Sequence, residues 1–138
     1  MKITFPPLLA VMFFVPAMAI AAPGNHDFSK QFKACYAAAK TSNEAKSSCL
    51  SDELDRQSKA VADLHDASAQ SLADTDKQQL ADDFAEWKKA ILLDCSILAD
   101  GKTVPIEREN ARKYCLIERT IGRLNSYELI RQDKTLVK

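Results

Sequence analysis

The chain of 138 residues is poor in the residues that build turns, strands and catalytic centres. It holds three glycines, two histidines and one tryptophan, and no segment alternates apolar and polar residues over the length of a strand. Scarce glycine without alternation argues against a β fold and favours helices. A serine nucleophile elbow, a glycine-rich phosphate loop, a His-Glu metal helix and a C-x-x-C pair are all missing. The enzyme classes that carry these motifs therefore find no support.

Neither the histidines nor the acidic pairs form a catalytic or metal-ligating pattern. His26 and His65 have no partner at metal-ligand spacing, and each is typical of a solvated or partly packed side chain. General acid–base chemistry needs carboxylates in buried, apolar surroundings, and the sequence shows no such setting. We therefore expect no catalytic residue, no cofactor and no metal, and a binding protein rather than an enzyme. An enzyme whose site carries no known motif stays an alternative.

The chain has no excess of either charge, but its charges are unevenly placed. Lys and Arg number 19, as do Asp and Glu, and no basic stripe is interleaved with aromatic residues, so nucleic acid is not expected as a partner. Residues 41–100 carry 13 acidic and 6 basic side chains, whereas residues 101–138 carry 5 acidic and 9 basic. Either the two halves are solvated faces that attract each other, or the acidic half meets a cationic partner.

The first 21 residues have the pattern of a secretory signal. Lys2 gives the positive start, an apolar stretch runs from Ile3 to Val15, and Ala19-Ile20-Ala21 forms an A-x-A cleavage site. We expect residues 22–138 to be a single mature domain that is periplasmic or secreted. A retained signal anchor is the alternative. No later apolar run approaches the roughly 20 residues that span a bilayer, so no membrane span is expected in the mature chain.

Four cysteines in an exported chain indicate disulfides rather than metal ligands. Cys35, Cys49, Cys95 and Cys115 are separated by 14, 46 and 20 residues, which does not give the two close pairs of a zinc site. The members of the first and of the last pair flank a predicted turn between helices. Antiparallel helices joined by a short loop bring such positions together, so we predict Cys35–Cys49 and Cys95–Cys115. The other two connectivities stay open.

Periodicity and cap signals predict a small all-α antiparallel bundle of about four helices. The expected helices cover residues 27–40, 42–49, 51–73, 76–100 and 106–131. Capping boxes start at Thr41 and Thr75, and a further cap signal is Ser51-Asp52-Glu53. The clearest apolar stripe consists of Leu80, Phe84, Trp87, Ile91, Cys95 and Leu98. Trp87 is interpreted as a core anchor between helices, with an exposed recognition residue as the alternative.

Several of these residues have the spacing of one exported bacterial family. The matching positions are Cys35, Thr41 with Glu44, Cys49, Leu54-Asp55, Trp87 with Cys95, and Cys115 with Thr120 and Arg123. Over about residues 35–127 this pattern resembles the lysozyme inhibitor LprI-like domain. The chain departs from it at Ile91-Leu92, where that family often has Arg-Asp, and lacks a tyrosine usual on the Leu-Asp helix.

The resemblance implies a periplasmic protein that inhibits a lysozyme-type cell-wall hydrolase by occlusion. The acidic half would suit a cationic hydrolase, and its candidate partner contacts are Asp74, Asp76, Asp82 and Asp83. The connections near residues 74–76 and 100–105 are the candidates for the blocking element. An immunity protein against a secreted toxin and a periplasmic stress chaperone are the alternative functions, and the oligomeric state stays open.

Arg123 is a candidate for either a structural or a binding role. A guanidinium on the last helix could pair with an acidic residue of the middle helices, such as Asp55 or Glu44, or could contact a partner directly. We expect the structural role.

Overall fold

A computed structural model describes residues 25–136, which form four α-helices and no strand. The helices are α1 (Lys30–Ala38), α2 (Asn43–Ala69), α3 (Asp74–Ala99) and α4 (Pro105–Leu136). The predicted all-α bundle of four helices is confirmed. The expected signal segment, residues 1–21, lies outside the described residues. Within residues 25–136, no helix has the length and apolar character needed to cross a bilayer.

The helix starts differ from the predicted capping boxes. The cap of α2 is Ser42, whose hydroxyl accepts from the N–H of Ala45, so the cap lies one residue after Thr41. The cap position of α3 is Ala73, which makes no side-chain bond to the helix, and the predicted box at Thr75 falls inside the first turn. α3 therefore begins directly after the α2–α3 connection, without a polar side chain at its N-cap position.

The predicted break near residue 50 is wrong, because α2 is one continuous helix of 27 residues. The Ser51 hydroxyl donates to the carbonyl of Ser47 one turn earlier, as a serine within a helix often does. Glu53 is fully buried and accepts hydrogen bonds from Ser29. The Ser-Asp-Glu triplet therefore marks a tertiary contact and not a helix start. At the other end of the chain, α4 continues to Leu136, past the expected end at residue 131.

The core lies mainly between α2 and α4, which share the most extensive interface; the backbone of α3 packs on α4 and comes close to that of α2 at few positions. The prediction that Leu98 belongs to the buried stripe is wrong: its side chain is 64% exposed, and Ala99 is buried instead. The buried clusters are Phe32 with Cys49, Leu50 and Ile117; Val61 with Leu124 and Tyr127; and Cys95 with Cys115 and Leu116.

Both predicted disulfides are present. Cys35–Cys49 joins α1 to α2 with a Cα–Cα distance of 5.8 Å, and Cys95–Cys115 joins α3 to α4 at 5.5 Å. Each outer helix of the bundle is thus attached covalently to one of the two central helices. Because disulfides persist in oxidising compartments, this arrangement is compatible with an exported protein.

Candidate functional site

Three residues singled out in the sequence, Trp87, Arg123 and Asp83, meet where α3 lies on α4. Arg123 forms an ion pair with Asp83, 40 residues earlier in the chain. Its guanidinium carbon lies 5.5 Å from the centre of the Trp87 ring and 4.8 Å from that of Tyr127. It also donates to the Tyr127 hydroxyl at 3.3 Å. The guanidinium therefore joins α3 to α4 by charge, by a hydrogen bond and by contact with two aromatic faces.

The ion-pair partner of Arg123 is Asp83, and neither Asp55 nor Glu44 fills that place. The reason is that the helix lying over this part of α4 is α3, not the start of α2. Burial disfavours the charged guanidinium, but its hydrogen bonds to Asp83 and Tyr127 outweigh burial and raise the pKa of Arg123 above its ordinary value. Of the four acidic candidates, Asp83 is thus engaged within the protein.

His65 completes this cluster in a way that the sequence did not indicate. It is buried, its ring stacks on Phe84 with the centroids 4.3 Å apart, and its Nδ1 lies 3.2 Å from the Tyr127 hydroxyl. Phe84 in turn stacks on Trp87 at 5.3 Å. Trp87 is partly buried, with one side against the core cluster around Val61. The one signal for this contact in the sequence is the position of His65 on the apolar side of α2.

The other side of Trp87 lines a groove of about 410 Å³ between α2 and α3. The groove exists because the backbones of these two helices come close at few positions. Its walls are mostly apolar: Leu54, Val61 and Ala62 come from α2, and Phe84, Trp87, Ile91 and Leu92 from α3. Ile91 and Leu92 are the positions at which the chain departs from the family pattern. The departure therefore makes this wall apolar where Arg-Asp would make it charged.

The acidic end of the bundle consists of five exposed aspartates within about three turns of the α2–α3 connection: Asp63, Asp66, Asp74, Asp76 and Asp82. Asp74 pairs with Lys77 at 3.1 Å, and Asp82 accepts from Gln78 at 2.9 Å. These are contacts between exposed neighbours on one helix, which contribute little and break readily. Their carboxylates remain accessible to a partner.

The charge asymmetry between residues 41–100 and residues 101–138 is not neutralised by ion pairs between these two halves. Among residues 25–131, whose side chains the structure describes, only the Arg123–Asp83 pair joins the acidic half to the basic half as an ion pair; the other pairs of these halves lie within a single helix. Attraction between the halves through ion pairs is therefore confined to one contact. The aspartates of the acidic end are not neutralised by α4.

Glu53 is a buried carboxylate that the sequence analysis placed at a helix start. Its oxygens accept from the Ser29 backbone N–H at 2.8 Å, the Ser29 hydroxyl at 2.6 Å and Gln57 at 2.8 Å, and they pair with Arg56. Burial would raise the pKa of Glu53, but these hydrogen bonds outweigh burial and hold the pKa below its ordinary value of 4.5. With four donors on its carboxylate, Glu53 serves to attach α1 to α2.

Within residues 25–131, no three His, Cys, Asp or Glu side chains are grouped as metal ligands would be. The chain matches no protein-family model, no curated protein and no solved structure. Its resemblance to the LprI-like domain consequently rests on the residues and spacings given above.

Proposed function

We propose that the chain is a periplasmic protein of the LprI-like type that inhibits a cationic, lysozyme-class cell-wall hydrolase by occlusion. The observation that carries this proposal is the acidic end, whose five aspartates are exposed. Asp63 and Asp74 pair only with exposed lysines one turn away on their own helices, and none of the five pairs with a described side chain of α4. Support also comes from the two disulfides, which suit an oxidising compartment, and from the residues of the resemblance.

The acidic end would act first on the rate of encounter and then on the stability of the complex. Clustered negative charge attracts a cationic partner over roughly 8–10 Å at physiological salt, and it orients the two surfaces. The short connection at residues 70–73 projects between the two acidic helix ends. The connection expected near residues 74–76 lies slightly earlier, because α3 begins at Asp74. Of the two connections it is the one surrounded by aspartates, so we assign the blocking of the glycan cleft to it.

Binding of a cationic lysozyme by charge-neutralised variants tests the proposal. We expect the triple variant D74N/D76N/D82N to bind at least about tenfold more weakly than the unchanged protein, with a flatter dependence on salt concentration. The matched control D52N/D94N/D100N removes the same charge from exposed positions outside the acidic end and should keep most of the affinity. Equal losses in both triple variants, or no loss in either, contradict a role for the acidic end.

A second candidate function is favoured by exposed apolar side chains on the last turns of α3. Leu93, Ile97 and Leu98 are each more than 60% exposed, and such surfaces bind other proteins. An immunity protein would bind one cognate toxin and ignore lysozyme, whereas a stress chaperone would keep unrelated unfolded proteins from aggregating. Suppression of client aggregation by the wild-type protein, lost in L93S/I97S, would favour the chaperone over the inhibitor.

A further inference from the structure

Two charged side chains of opposite sign line the α2–α3 groove. Some neighbouring charges of these helices are held in ion pairs, namely Arg56–Glu53, Lys59–Asp63 and Lys89–Glu86. Asp55 on α2 and Lys88 on α3 line the groove, yet neither forms an ion pair with any residue of the described chain. Two opposite charges thus lie on facing walls without neutralising each other.

The groove between these charges has the character of a small-ligand site. Its volume of about 410 Å³ falls in the usual range of roughly 300–1,000 Å³ for ligand pockets. The surface inside the groove is mainly apolar and includes the stacked rings of Phe84 and Trp87. The Lys88 ammonium lies 4.8 Å from the centre of the Phe84 ring, which keeps this charge at the groove.

We propose that the α2–α3 groove binds a single-chain zwitterionic amphiphile of the lysophospholipid type. The hydrocarbon chain would cover Trp87 and Ile91, the phosphate would pair with Lys88, and the ammonium group would pair with Asp55. Asp55 and Lys88 are exposed and are solvated when the groove is empty. A zwitterion adds an attractive contact at each wall, whereas an uncharged chain adds none and a ligand of one charge is repelled by one wall. This activity is independent of hydrolase inhibition, because none of the five aspartates of the acidic end lines the groove.

The fluorescence of Trp87, which lines the groove, can be followed without interference, because the chain has no other tryptophan. The oxidised protein is titrated below the micelle concentration with four amphiphiles that share a twelve-carbon tail: dodecylphosphocholine, dodecyl sulfate, dodecyltrimethylammonium and dodecyl maltoside. We expect a saturable blue shift at about tenfold lower concentration for dodecylphosphocholine than for the other three. Equal responses to all four head groups overturn the proposal. So does a larger response to a basic, tryptophan-free amphipathic peptide, which would assign the groove to a protein partner.

Two kinds of variant locate the binding. Ala62→Phe fills the groove from α2 and should abolish the shift, whereas Ala37→Phe on the exposed side of α1 should leave it unchanged. Asp55→Lys keeps the groove open and makes its charges both positive, so the preference should move from dodecylphosphocholine to dodecyl sulfate. Retention of the zwitterion preference in Asp55→Lys overturns the proposal, even where Ala62→Phe fails to fold.

Discussion

At the scale of single residues, two charged side chains attach the outer helices to the centre of the bundle. Glu53 on α2 holds Ser29, the N-cap of α1, and Arg123 on α4 holds Asp83 on α3. Both contacts lie far from any local pattern in the sequence, since Arg123 and Asp83 are 40 residues apart. The sequence predicted an acidic partner on a middle helix for Arg123, but not which one, because that choice depends on how the helices pack.

Replacing Glu53 by glutamine should destabilise the protein by about 2–3 kcal/mol at neutral pH, because an amide cannot accept the hydrogen bonds of four donors. Urea unfolding measures this difference. The exposed Glu86→Gln change, which breaks only the ion pair with Lys89, is the control and should leave the free energy of unfolding unchanged.

The loss caused by Glu53→Gln should itself depend on pH. Because the folded protein holds the pKa of Glu53 below 4.5, the stabilisation is fully present above that value and is lost as the pH falls through the lowered pKa. The wild-type protein and the Glu53→Gln variant should therefore approach each other in stability below about pH 4. A difference of the same size at pH 7 and pH 3 would contradict the assignment of a charged, hydrogen-bonded Glu53.

Asp82 and Asp83 are sequence neighbours with opposite expected roles. Asp83→Asn removes the ion-pair partner of the partly buried Arg123 and should lower the free energy of unfolding by about 1 kcal/mol, a value reduced by the exposure of Asp83. It should leave hydrolase affinity nearly unchanged. Asp82→Asn should leave stability unchanged and weaken binding. Chemical denaturation measures the stability of both variants, and a binding titration measures their hydrolase affinity. Equal changes of stability and of affinity in the two variants would refute these separate roles.

At the scale of secondary structure, the helices and the disulfides were predicted more accurately from the sequence than the ends of the helices. A period of 3.6 residues and cysteines on either side of a turn are local signals, and they predicted four helices and both pairings. The predicted break near Ser51 and the predicted capping boxes at Thr41 and Thr75 were wrong. Residues with capping side chains also occur inside helices, as Ser51 does, where its hydroxyl bonds the carbonyl of Ser47. The groove could not be predicted, since it depends on how far α3 stands from α2.

The uncapped start of α3 offers a direct test of its position. Ala73 has the extended backbone of an N-cap residue, with φ −67° and ψ 158°, but no side-chain acceptor. Ala73→Ser should supply that acceptor and raise the free energy of unfolding by about 0.5–1 kcal/mol. Thr75→Ser, placed inside the first turn, is the control and should have no such effect. A gain at residue 75 and none at residue 73 would place the helix start where the sequence predicted it.

The Cys95–Cys115 disulfide is the covalent attachment of α3 to the bundle, so its removal should loosen α3 in particular. The double variant C95A/C115A should lose about 3 kcal/mol of stability, and hydrogen exchange of α3 should become faster than that of α2 and α4. In C35A/C49A, by contrast, the faster exchange should be confined to α1. Uniformly faster exchange across all helices in C95A/C115A would show that α3 is not a separately attached element.

At the scale of the whole molecule, the charges of the acidic half face outward. The sequence left open whether the two halves attract each other or the acidic half meets a cationic partner. The single ion pair found between the halves within residues 25–131 favours the partner. Composition alone could not decide this, because it counts charges without showing which of them meet.

The most direct measurement is the turnover of cell-wall substrate by a cationic lysozyme as the oxidised protein is added, at low and at high salt. Our proposal predicts inhibition that saturates near one inhibitor per enzyme at low salt and weakens markedly at high salt. A folded, disulfide-intact sample that leaves turnover unchanged at both salt concentrations, with lysozymes of several classes, would contradict the inhibitor function.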